Sequence, residues 1–186
     1  ASAEGRALAG MIDPERVGVA GHSNGGVTTA GLIARSCCID PRIDAAIIIA
    51  GTSQLLPGWT FDWTSTPPAL VIHGEDDIII PFAEGRRLFD DLRAPKGLLT
   101  LLDTDHGSFL FRDSSAFPVT VAASVDFWRG YLLGDAAAIA ALPGDEEPGV
   151  DAVAHGAPTV LRCQWGRKRT GRVVRRCDGH GPCQCT

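Results

Sequence analysis

Apolar residues recur along the chain in two alternating patterns. Four short, nearly continuous runs occupy residues 16–20, 43–50, 68–73 and 97–102. Runs of this length, bounded by Gly, Pro or Asp, predict strands, and near-continuous apolarity is expected where helices cover both faces. Between them lie stretches with helical spacing. Residues 24–35 lack proline and repeat Val27, Ala30, Gly31 and Ala34. Pro81 suits a helix start, and Leu88, Phe89 and Leu92 give the helix after it an apolar face. Residues 119–133 carry Val121, Val125, Phe127, Trp128 and Leu132, and an Ala-rich helix over 136–142 ends before Pro143-Gly144. Residues 1–12, with Leu8, Met11 and Ile12 on one face, read as a helix end that Asp13-Pro14 breaks. Strand, helix, strand, long connection, strand, helix, strand, helix is an α/β order. It predicts a mainly parallel sheet of about four strands flanked by helices.

Composition changes this picture at one place only. With 186 residues, 45% hydrophobic and 21% charged, the chain is long enough for one domain with a real core. No apolar run approaches the ~20 residues of a membrane span. No basic and apolar leader opens the sequence, so no signal peptide is read and the compartment stays open. Residues 157–186, however, hold seven of the 17 basic residues and only one of the 22 acids, Asp178. They also hold four of the six cysteines, Cys163, Cys177, Cys183 and Cys185. The expected organisation is therefore one domain over residues 1–150 and a basic, Cys-containing, disordered tail over 151–186.

The tail invites two readings and favours neither. Cys177, His180 and Cys183 have spacings that reach one zinc ion, but no paired C-x-x-C knuckle is present, so no metal site is expected. Arg167, Lys168, Arg169, Arg172, Arg175 and Arg176 resemble a phosphate-binding cluster, yet Trp165 stands alone for base stacking, and nucleic acid is a disfavoured partner. The adjacent Cys37 and Cys38 are expected not to bridge each other.

The candidate chemistry follows the strands. Gly21-His22-Ser23-Asn24-Gly25-Gly26 lies directly between the first strand and the first helix. A serine on such a turn is forced into a sparsely populated backbone region that projects its Oγ from the sheet rim, and small neighbours let the backbone pass. The helix N-terminus then offers free N–H groups to a developing oxyanion, with that of Asn24 as the expected donor. The third strand runs into His73-Gly74-Glu75-Asp76-Asp77, placing carboxylates where ligand groups gather in open α/β sheets. Asp76 and Asp77 compete for the role of acid, with Glu75 behind them. A pair of aspartates alone is ordinarily a solvated turn. His106, in Asp103-Thr104-Asp105-His106-Gly107 after the fourth strand, is the candidate general base. The order Ser, Asp, His distinguishes this arrangement from the trypsin-like and subtilisin-like orders. His22 and His73, both beside glycine in turns, are assigned to packing and hydrogen bonding. Trp59, Phe61 and Trp63 in the long connection over 51–67 are candidates for contact with substrate, or equally for a cover over the sheet.

These segments resemble the C-terminal half of an α/β-hydrolase of the dienelactone-hydrolase, chlorophyllase-like and polyester-hydrolase-like group. The likeness rests on residues 13–26, on His73-Gly-x-x-Asp77-x-x-Ile80-Pro81 and on Asp105-His106-Gly107, and covers roughly residues 1–150. It implies Ser23, Asp77 and His106 as catalytic residues, with the acid at Asp77 rather than Asp76. It also implies hydrolysis of small-molecule or polymeric carboxylic esters through an acyl-enzyme, without metal or organic cofactor. Some dienelactone hydrolases use a cysteine nucleophile, and serine here argues against that activity. In this fold about half the sheet precedes the nucleophile strand, whereas only a helix fragment does so here. The resemblance thus implies a partial chain that lacks the second oxyanion N–H, at a cost of ~10²–10³ in rate, and leaves residues 16–20 as an exposed strand edge. A serine peptidase of the prolyl-oligopeptidase type, an inactive fragment, and a nucleic-acid- or metal-binding tail are the alternative functions. The tail resembles nothing in the fold and is consistent with non-family sequence.

Overall fold

The computed structural model describes residues 10, 11, 13–54, 58–93 and 95–142. Of the helix end expected over 1–12, only residues 10 and 11 are described, in a turn. The rest of it and the whole of 143–186, including the expected disorder of the tail, lie outside the described residues.

Within them, four strands form one parallel sheet in sequential order: β1 (Val17–His22), β2 (Ile43–Ile49), β3 (Ala69–Gly74) and β4 (Lys96–Leu101). The α/β architecture read from the apolar runs is present. Helix α1 (Asn24–Ala34) packs on β1 and β2, and α2 (Phe82–Asp91) packs on β3 and β4. Across the sheet lie α3 (Phe117–Leu133) and α4 (Ala136–Ala141), after a short 3₁₀ turn at Ser108–Leu110.

The two central strands are apolar on both faces because both faces are covered. Ile47, Leu70, Ile72, Leu99 and Leu101 join Phe109, Val119 and Phe127 in one core cluster. Their alternating neighbours Ile48, Val71 and Leu98 join Ala30, Ile33, Leu88 and Leu92 in the other. Each such fully buried aliphatic side chain contributes ~1.5–3 kcal/mol of burial. Strand β1 differs: among the described residues nothing pairs with its outer edge, and Gly18 and Ala20 are exposed.

Helix boundaries fall close to the sequence pattern. Pro81 is the residue before α2 rather than its first turn. Helix α3 begins at Phe117 with Pro118 in its first turn, and it stops at Gly134, whose φ of 74° is left-handed and free of a Cβ penalty. Asp135 then caps α4 by accepting from the N–H groups of Ala137 and Ala138.

One expectation is overturned. Cys37 and Cys38 form a disulfide with each other. A tight turn, closed by the Cys38 N–H donating to the Arg35 carbonyl at 2.8 Å, follows α1 and lets the two side chains meet.

Candidate active site

Parallel strands deliver all their C-terminal ends to one rim, and three loops meet there. Ser23 follows β1 with φ 57° and ψ −119°, outside the ordinary regions for a residue with a Cβ. Its N–H donates to the Ile49 carbonyl at 3.0 Å, which pins the turn to the end of β2. A Cβ on Gly21 would collide with the Gly25 carbonyl oxygen, and one on Gly26 would lie 2.9 Å from the Ile49 oxygen. Gly25 itself has open space around it. The close approach therefore requires Gly21 and Gly26.

The loops after β3 and β4 are fastened to each other. Glu75 N–H donates to the Leu101 carbonyl at 2.8 Å, and Asp76 N–H to the Thr104 carbonyl at 3.0 Å. Glu75 and Asp76 turn outward and are exposed, while Asp77 is buried at 4% exposure. Of the three acids, this backbone directs one carboxylate, that of Asp77, inward. Asp77 Oδ1 accepts from the N–H groups of Ile79 and Ile80, both at 2.9 Å.

The base loop is likewise held. Asp105 Oδ1 accepts from the N–H groups of Gly107 (3.0 Å) and Ser108 (2.8 Å). Those two donors hold the Asp105 carboxyl below the usual carboxylate range. His106 thereby faces both neighbours. Its Nδ1 lies 2.7 Å from Asp77 Oδ2 and its Nε2 lies 2.8 Å from Ser23 Oγ. A carboxylate only accepts, so Nδ1 carries the proton and donates to Asp77, leaving Nε2 to accept from the Ser23 hydroxyl. The arrangement can move a proton from the hydroxyl to the imidazole while the carboxylate stabilises the resulting positive charge.

Two further histidines belong to this rim, beyond what their sequence neighbours indicated. His22 Nε2 is 2.7 Å from the His106 carbonyl oxygen, to which it donates, and its ring packs against the His106 ring with centroids 4.8 Å apart. His73 is fully buried, its Nε2 donating to the Ile80 carbonyl at 2.8 Å and lying 3.3 Å from Asp77 Oδ2. Burial pushes the His73 imidazole below its ordinary value, against the opposing pull of the Ile80 carbonyl and Asp77. Packing and hydrogen bonding describe both residues, but each is bonded to a member of the Ser23, His106, Asp77 set or to its loop.

Not every candidate reaches the rim. Asn24 opens α1 and is exposed. The first helical bond runs from Val27 N–H to the Ser23 carbonyl, so the Asn24 N–H precedes the helical ladder. Trp59, Phe61 and Trp63, in contrast, lie at the far end of α1. Phe61 bridges Arg35, Asp62 N–H donates to the Ala34 carbonyl, and Trp59 lies under the Arg35 guanidinium at 3.6 Å. Phe61 and Trp63 stack on each other and pack on the α1, α2 side of the core. An 11-residue helix at ~1.5 Å per residue separates them from Ser23 by about 16 Å. These aromatics thus lie against the α1, α2 side of the core, at the far end of α1 from Ser23.

Among the described residues no group of three or more His, Cys, Asp or Glu is arranged to hold a metal ion, and no helix is long and apolar enough to cross a membrane. The tail cysteines weighed for zinc lie outside the described residues.

No protein-family model and no curated protein matches the chain. Among solved structures it is similar to a puromycin-hydrolyzing peptidase of Mycobacterium tuberculosis, at 22% sequence identity and a TM-score of 0.54. The match covers 69% of this chain and 24% of that one. At this identity the likeness establishes a shared fold, and the chain spans about a quarter of that protein's length.

Proposed function

We propose that this chain carries the nucleophile, base and acid of a serine hydrolase of the α/β-hydrolase kind, cleaving carboxylic esters through an acyl-enzyme. The observation that carries the reading is the continuous relay from Ser23 Oγ through His106 to Asp77, with both steps below 2.9 Å. Ser23 Oγ attacks the ester carbonyl as its proton passes to His106 Nε2. Negative charge develops on the carbonyl oxygen near the start of α1, where the Asn24 N–H and the helix dipole stabilise it. The intermediate collapses, and His106 protonates the departing alkoxide. Water then attacks the acyl-enzyme with His106 again as base, releasing the acid and restoring Ser23. Asp77, held by two backbone donors, keeps the imidazole in its tautomer throughout.

Exposed apolar side chains on the same loops supply the acyl contact that Trp59, Phe61 and Trp63 do not. Ile78 and Ile79 follow the acid directly, and Leu110 and Phe111 follow the base loop. An apolar acyl group suits them. A second reading, a serine peptidase, is favoured by the similarity to the puromycin-hydrolyzing peptidase. An ester needs less help than an amide, because its carbonyl is less stabilised by resonance and an alkoxide departs more readily than an amide anion. The described residues offer one candidate oxyanion donor, the Asn24 N–H. The discriminating experiment compares hydrolysis of p-nitrophenyl butyrate with that of peptide p-nitroanilides, alongside labelling of Ser23 by a fluorophosphonate. Ester turnover and Ser23 labelling are expected. Turnover of the anilides at comparable rates favours the peptidase, and absence of both labelling and turnover overturns the hydrolase reading for this chain.

A further inference from the structure

The Cys37–Cys38 disulfide lies at the opposite end of α1 from Ser23 and does not depend on the hydrolase reading. Both residues are exposed, in a turn outside the two core clusters. A bond between sequence neighbours closes the shortest loop a disulfide can close, so it removes little freedom from the unfolded chain. Stapling the fold is therefore a poor account of it. Accessibility to an attacking thiolate, which governs exchange, is high.

The turn is also the attachment point of a loop. Ser36 N–H and Ser36 Oγ both donate to the Thr60 carbonyl, at 3.1 and 3.2 Å, and Thr60 Oγ1 donates to Ser36 Oγ at 3.3 Å. Asp62 N–H bonds the Ala34 carbonyl, and the Arg35 guanidinium covers Trp59. The residues immediately before the cysteine pair thus clasp the loop over 58–63 against the C-terminal end of α1.

We propose that Cys37–Cys38 is a reversible two-electron thiol–disulfide exchange site for small dithiols, and that its oxidation state sets the firmness of this clasp. In the forward step a dithiol's thiolate attacks one Sγ, forming a mixed disulfide and releasing the other cysteine as a thiolate. The second thiol of the reagent then displaces the bound cysteine. Two protons and two electrons pass to the protein, and the reagent leaves as a cyclic disulfide. Reduction frees the turn to open, because the covalent link between the two side chains is gone.

The sequence isolates the pair for measurement: tryptic cleavage after Arg35 and Arg42 yields Ser36–Arg42, free of the other four cysteines. The native full-length chain is alkylated before and after treatment with dithiothreitol, and that peptide is weighed. Without reductant it is expected unalkylated and two hydrogen masses below its dithiol form. After native-state reduction it should carry two alkyl groups, and oxidised dithiothreitol should restore the bond. Alkylation of both thiols without reductant, linkage to a tail cysteine, or reduction only after denaturation each overturns the exchange site. Hydrogen exchange at Ser36 and Asp62 should quicken several-fold on reduction, and a Cys37→Ser, Cys38→Ser chain should show no response to reductant. Unchanged exchange in the native chain overturns the link to the clasp.

Discussion

The two ends of α1 are built from different materials for different purposes. At the N-terminal end a positive-φ serine, glycines without room for a Cβ and a chain of polar groups converge at hydrogen-bonding distance. At the C-terminal end an arginine on a tryptophan, two stacked aromatics and a disulfide turn close a loop over the core. The first end spends conformational strain to aim a hydroxyl. The second end is relaxed and covers apolar surface. Aromatic richness therefore marks the cover here, and backbone strain marks the candidate site.

The sharpest way to break this comparison is to remove the hydroxyl or the imidazole. Ser23→Ala and His106→Ala should each lower ester turnover by about six orders of magnitude, and Asp77→Asn by about four, by analogy with measured triads. Steady-state rates on p-nitrophenyl butyrate check this. A Ser23→Ala chain turning over at the parent rate ends the assignment of that end of the helix to catalysis.

A backbone test comes next. Gly26→Ala puts a Cβ 2.9 Å from the Ile49 oxygen and 3.0 Å from the Gly51 Cα, both backbone atoms that cannot swing away. A loss of ~1–3 kcal/mol in stability is expected, together with weakened fluorophosphonate labelling. Gly25→Ala, with open space around its Cβ position, should cost far less. Equal costs in chemical denaturation would contradict the crowding seen at the turn.

Much of the N-terminal end was legible in the sequence because its constraints are local. A serine flanked by glycines between an apolar run and a proline-free stretch announces a strand–turn–helix, and the candidate acid and base occupy strand ends in the expected order. Which carboxylate turns inward was not readable from the residues, because it depends on hydrogen bonds between two loops about 29 residues apart. The same applies to His22 and His73, whose partners His106 and Ile80 are brought by the sheet. The aromatics could have been placed correctly. A connection between parallel strands starts at the rim where the first strand ends and must return to the opposite rim before the next begins. Residues 59–63 belong to the returning part, close to the start of β3 at Ala69, and so lie away from Ser23.

His73 offers a comparison within the candidate site itself. Its imidazole is held below the ordinary value of 6.5, chiefly by burial, so the unfolded chain binds a proton that the folded chain resists. Stability contributed by the neutral ring is fully present well above pH 6.5 and falls as pH drops below it, down to the lowered folded value. Thermal melts from pH 8 to pH 5 should show this decline. In His73→Gln, which keeps a donor for the Ile80 carbonyl, the part of the slope below pH 6.5 should flatten. An unchanged slope would mean that another group carries it.

The smallest effect should come from the far end of the helix, and its smallness is the point. Trp59→Leu removes the ring beneath Arg35 while keeping an apolar side chain at a half-buried position. A partly exposed cation–π contact is worth ~0.5–1 kcal/mol, so a slight fall in melting temperature is expected. Ester kcat and KM should stay close to the parent, since Trp59 sits about 16 Å along α1 from the nucleophile. A large rise in KM with stability preserved would put Trp59 back in contact with substrate. That outcome requires the loop over 58–63 to leave Ser36 and Ala34, the two residues whose hydrogen bonds hold it at the C-terminal end of α1.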